Sequence, residues 1–172
     1  KSRLEITFYT ASLCIMSPSA ESINSCQYLY LHEIGEPSDN VLRLVIAEAI
    51  SSRPISAEAL AEHPPELREM FSSSREILHK PGCKVFELVW PSYIAYSVRN
   101  ESYALPEAKD SVGEGKLFVE YGKSRYLDSL AASTFACADH PGPLKHWALY
   151  CLNHAIDVAS TEMPTVKVRT NA

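Results

Sequence analysis

The chain has 172 residues, 46% of them hydrophobic and 22% charged, and carries a formal net charge of -5. That composition is ordinary for a globular protein and excludes an intrinsically disordered one. The length predicts one domain over residues 1–172, large enough to bury a core without disulfide or metal staples. No Lys/Arg run occurs, which argues against nucleic acid as a partner, and no apolar run reaches the ~20 residues that span a bilayer.

In chain order, Leu4, Ile6 and Phe8 alternate with polar residues and read as a half-buried strand. Ser17 to Ser25 reads as a Ser/Pro/Asn connector. Gln27 to Ile34 is strand-like, and Gly35 to Asn40 is a turn. Val41 to Ile50 fits both periods; the turn before it favours a strand. Ser56 can cap a short helix over 57–62, and Pro65 can open a second one ending near His79. Lys80-Pro81-Gly82 closes that region.

From Phe86 the even positions are Phe86, Leu88, Trp90, Ile94, Tyr96 and Val98, while the odd ones carry Glu87, Tyr93, Ser97, Arg99, Glu101 and Tyr103. One long strand with an apolar and a polar-aromatic face is expected, with an edge, bulge or bend at Pro91, which has no N–H to donate. Leu105 to Gly115 reads as a loop and Lys116 to Tyr121 as a strand. Ser124 caps a helix over 125–136. In Leu144 to Ser160 the stripe Leu144, Trp147, Ala148, Cys151, Leu152, Ala155, Ile156 and Ala159 favours a helix, although strand spacing also fits. The expected fold is α+β: an antiparallel or mixed sheet of about five strands with two to four helices packed mainly on one face.

Chemistry is sparse. Five cysteines at irregular spacing (Cys14, Cys26, Cys83, Cys137, Cys151) suit buried thiols of a reducing compartment, so the cytoplasm is expected. Cys137-Ala-Asp-His140 and Cys151-Leu-Asn-His154 are paired Cys-x2-His motifs, and their four side chains have the types that close a zinc site. Such a site needs 144–160 to be a helix, because on a strand Cys151 and His154 point to opposite faces. A thiol nucleophile is the other catalytic option: Cys137 or Cys151, with His140, His146 or His154 as base and Asp139 or Asp157 as orienter. Glu87 and Glu101 would stand about 45 Å apart on one straight strand at ~3.3 Å per residue, too far for paired acid–base work. Gly113-Glu-Gly115 carries a carboxylate and precedes a strand, so it is no phosphate cradle; Ser124 with Arg125 could hold a single anion.

What remains is surface. Tyr93, Arg99, Glu101, Tyr103, Tyr121 and Tyr126, beside an acidic loop from Glu107 to Glu114, are residue types that carry protein interfaces. The expectation is therefore a non-enzymatic module that binds another protein through this face, with no cofactor; an immunity- or antitoxin-like inhibitor is one form. The alternative is a small zinc- or cysteine-dependent enzyme or metalloprotein centred on Cys137–His154.

Overall fold

The structure is a computed structural model that describes residues 17–170. The strand expected at Leu4–Phe8 and the thiol of Cys14 lie outside the described residues. The chain is α+β, with ten described strands: β1 (Tyr28–Ser38), β2 (Val41–Pro54), β3 (Arg75–Leu78), β4 (Lys84–Trp90), β5 (Ala95–Asn100), β6 (Val112–Gly115), β7 (Phe118–Lys123), β8 (Lys145–Tyr150), β9 (His154–Ser160) and β10 (Thr165–Thr170). The helices are α1 (Pro18–Asn24), α2 (Ala57–Ala61), α3 (Pro65–Phe71) and α4 (Arg125–Ser133), with a 3-10 turn at Glu101–Tyr103.

The strands form two antiparallel sheets of five. The first runs β1-β2-β4-β10 with β3 beside β2, and the second runs β5-β9-β8-β7-β6. Their apolar faces share one core: Leu42, Leu44, Ile46, Phe86, Leu88 and Trp90 from the first meet Phe118, Trp147, Leu149, Ile156 and Val158 from the second. Each such side chain contributes roughly 1.5–3 kcal/mol by leaving water. Trp90 and Trp147 meet edge to face with ring centroids 6.4 Å apart, joining the two sheets.

Where the chain follows its local signals, the reason is plain. Ser56 accepts from the Ala59 N–H, Ser124 accepts from the Leu127 N–H, and Pro65 opens α3. Val41–Ile50 is a strand, continuing to Pro54. Ser17–Ser25, read as a connector, is in fact α1. Ser17 caps it through the Ala20 N–H at 3.2 Å, and Pro18 takes the first helical position. Asn24 then fastens α1 to the second sheet: its Oδ1 accepts from the N–H groups of Lys116, Leu117 and Phe118, and its Nδ2 donates to the Phe118 carbonyl.

Two departures matter for the site. The run from Phe86 to Tyr103 is not one strand. It leaves the first sheet after Trp90, and Ala95 enters the second. Pro91 sits at that break, because a residue without an N–H cannot extend the ladder. The segment 144–160 is a hairpin, β8 and β9, with Trp147 opposite Val158 and Leu149 opposite Ile156. Both faces of this hairpin are covered, so Ala148, Ala155 and Ala159 are buried along with the core residues. A strand buried on both faces loses its alternation, and the resulting apolar run imitates a helix stripe. Asn153 at the hairpin turn bonds back to β1 through both the N–H and the carbonyl of Leu31, each at 3.0 Å.

Candidate functional site

The second sheet has an outer face as well as a core face, and this outer face is polar. Asp157 stands at the centre of β9, directly opposite Ser97 of β5. His146 of β8 and Arg99 of β5 point to the same side, and α4 with the segment 104–107 lies over them. His146, Asp157 and Ser124 are all buried.

Their hydrogen bonds form one network. Asp157 Oδ2 accepts from Ser97 Oγ at 3.0 Å and from an Arg99 terminal nitrogen at 2.8 Å, while Oδ1 lies 3.0 Å from His146 Nε2. His146 Nδ1 is 2.9 Å from Ser124 Oγ, which also accepts from the Leu127 N–H. The imidazole is sandwiched between Tyr121, stacked at 5.0 Å and 21°, and Tyr126, tilted at 5.0 Å. Behind it the Tyr121 and Tyr150 hydroxyls are 3.1 Å apart.

Burial alone would push the Asp157 carboxyl up, but the hydrogen bond from His146, the Arg99 charge and the Ser97 hydrogen bond outweigh it and hold the group below its ordinary value. Asp157 is thus an acceptor only, and Nε2 of His146 must donate to it. His146 Nδ1 faces the Ser124 hydroxyl, so both ring nitrogens have a partner. Asp157 and Arg99 balance in charge.

Ser124, His146 and Asp157 have the composition of a hydrolytic triad, yet the arrangement is wrong for one. The carboxylate borders the open cleft, while the hydroxyl is buried, takes no part in the cleft lining and is occupied as a helix cap. A substrate entering the cleft meets Asp157 and Arg99 first. The row therefore works as a prop: it fixes the Arg99 guanidinium at the cleft.

That cleft has a volume of about 340 Å³ and is walled by Ser97, Arg99, Tyr103, Arg125, Tyr126 and Glu107, among others. Of the surface residues expected from the sequence, it gathers Arg99, Tyr103 and Tyr126. Glu101 borders an adjoining apolar hollow of about 310 Å³, which shares Leu105 and Pro106 with the cleft. Tyr121 lies behind, against His146. Tyr93 is elsewhere: it and Tyr96 both donate to Glu36, at 2.7 and 3.1 Å, and that bond is the first cause holding the Tyr93 phenol up at about 12.

The zinc arrangement is not made. Each Cys-x2-His is a tight turn closed by its own backbone, with Cys137 N–H donating to the His140 carbonyl and Cys151 N–H to the His154 carbonyl. Cys137 is exposed, Cys151 points into the core, and among the described residues no three His, Cys, Asp or Glu side chains gather as a metal site requires. His146 and Asp157 do pair, as the thiol-nucleophile option required, but the imidazole's two nitrogens face Asp157 and Ser124 and neither faces a thiol. Burial pushes the Cys151 thiol up to about 12, and burial with the neighbouring Glu48 does the same for Cys26. Among the described cysteines, iodoacetamide near neutral pH should therefore label Cys137 first, with Cys26, Cys83 and Cys151 at least tenfold slower in the folded chain, as read by peptide mass spectrometry.

Comparison with protein-family models, curated proteins and solved structures finds no match to this chain. The sequence joined His146 with Asp157 only behind a cysteine nucleophile and Ser124 with Arg125 only as an anion site, and did not single out Ser97 or Glu107 as cleft residues. Ser97 and Arg99 at alternate positions of one strand, with a lone Asp inside the apolar run Ala155–Ala159, are the signal that was available.

Proposed function

We propose that the chain is a non-enzymatic binding module that engages another protein at the corner where β5, the Glu101–Tyr103 turn and α4 meet. The observation that carries the reading is the gathering of Arg99, Tyr103 and Tyr126 round one cleft, with Tyr103 85% and Leu105 73% exposed at its rim. Exposed aromatic and apolar side chains beside a pre-positioned arginine are the composition of interface hot spots. The buried row from Ser124 to Asp157 removes much of the rotamer freedom that Arg99 would otherwise lose on binding.

An inhibitor of the immunity or antitoxin type is the form that fits a small acidic chain with this surface. The compartment that goes with it is the cytoplasm, where the four described cysteines, all unpaired, stay reduced. No described helix is long and apolar enough to cross a membrane.

The test is affinity capture of the tagged chain from lysate of its own source, followed by measured affinity for the captured protein. Tyr103→Ala and Arg99→Ala are each expected to weaken binding by about 10- to 100-fold, or ~1.4–2.8 kcal/mol. A stoichiometric partner indifferent to both substitutions would remove this surface from the proposal.

A further inference from the structure

Beyond the protein-binding reading, we infer that the floor of the cleft beside Arg99 is a site for a neutral polyhydroxylated ligand, a saccharide of roughly one or two rings. The charges on its walls cancel. Arg99 is committed to Asp157, and Arg125 stands beside Glu107, whose Oε2 lies 3.3 Å from the Arg125 backbone nitrogen. An ion entering the cleft would give up hydration and find no net counter-charge, so charged ligands gain little there. A purely apolar ligand would leave the floor's polar atoms without partners, at a cost for each one.

The floor does offer donors and acceptors in close alternation. Only one terminal nitrogen of Arg99 is engaged with Asp157. The Ser97 hydroxyl gives its proton to Asp157 and is met in turn by the Tyr126 phenol. Ser129 adds a hydroxyl group from α4, and Arg125 makes no ion pair within 4.0 Å among the described residues. A sugar hydroxyl donates and accepts at once, and neighbouring hydroxyls match the fork of a guanidinium. At the rim, the Tyr103 ring, 85% exposed, presents a π-face to the C–H side of a sugar ring. The volume of about 340 Å³ lies in the range of small-ligand clefts.

The test needs no protein partner, so its failure is separate from failure of the binding-module reading. The labelled chain is applied to an array of neutral, sialylated and sulfated glycans, alongside Arg125→Gln and Tyr103→Ala, which lie outside the buried row. The glycan retained is then titrated into ¹⁵N-labelled protein. The expected result is retention of a subset of neutral glycans, about tenfold weaker in each variant. Amide shifts should be confined to 97–107 and 125–129. Thermal midpoints equal to that of the parent show that the variants are folded. An array with no retained glycan overturns the inference. So does retention of sialylated or sulfated glycans alone, or retention that both substitutions leave unchanged. Glycine and glutamate, titrated in parallel, test a zwitterionic ligand; shifts at the cleft from these with none from glycans also overturn it.

Discussion

His146→Ala is expected to lower the free energy of unfolding by about 3–5 kcal/mol, measured by urea denaturation. The imidazole is fully buried, bonded at both nitrogens and enclosed by Tyr121 and Tyr126. Its removal opens a cavity between the two rings and leaves the buried Asp157 Oδ1 without its donor. The Ser124 hydroxyl loses a partner in the same step. Ser124→Ala is the milder comparison, at about 1–2 kcal/mol, because it removes one hydrogen bond and the α4 cap but leaves Asp157 satisfied. A loss under about 1 kcal/mol in His146→Ala would mean that the row does not hold the second sheet's outer face together.

The same substitution has a readable effect on acid stability. The Asp157 carboxyl is held below its ordinary value in the fold, so its contribution is present above the unfolded carboxyl range and is lost as the pH falls through the depressed folded value. The hydrogen bond from His146 is the first of the influences that lower it. Without the imidazole the folded value rises, and the loss of this contribution moves to higher pH. Urea midpoints taken across the acid range should show the gap between the two proteins narrowing at low pH, where Asp157 is protonated in both, to the part set by the cavity.

How much of this was legible beforehand differs from element to element. The class, the capped helices at Ser56 and Ser124, and the buried row Phe86, Leu88 and Trp90 follow from local chemistry that tertiary contacts do not overrule. The hairpin β8–β9 was ambiguous for a physical reason. Its residues are covered by the core on one side and by α4 and the 104–107 segment on the other, so a helix-like apolar stripe overlies the two-residue period that marks a strand. That ambiguity also hid the site. On a helix, Cys151 and His154 nearly share a face and suggest a metal; on a hairpin they fall at a turn, while His146 and Asp157 come side by side on adjacent strands. The binding residues fared better where they were local: Arg99, Tyr103 and Tyr126 do meet. Tyr93 does not join them, because Pro91 breaks the strand and places Tyr93 in the crossing between sheets, bonded to Glu36.

The crossing also explains why a loss of the same size is expected at Trp90, the last residue of β4 before the chain changes sheets. Trp90→Ala is expected to cost about 3–5 kcal/mol. The side chain is fully buried in the shared core and meets Trp147 edge to face, so its removal takes away both burial and the contact that joins the two sheets. Trp90→Phe separates shape from polarity. The Trp90 indole Nε1 is buried with no hydrogen-bond partner among the described residues, so phenylalanine removes an uncompensated N–H while it keeps an aromatic ring against Trp147. The loss for Trp90→Phe should then be only about 1–2 kcal/mol, set by the smaller ring. With two tryptophans in the chain, either variant leaves Trp147 as a single fluorescent reporter of unfolding. If phenylalanine costs as much as alanine, the indole N–H has a partner in solution, and the core at this junction is wetter than its packing implies.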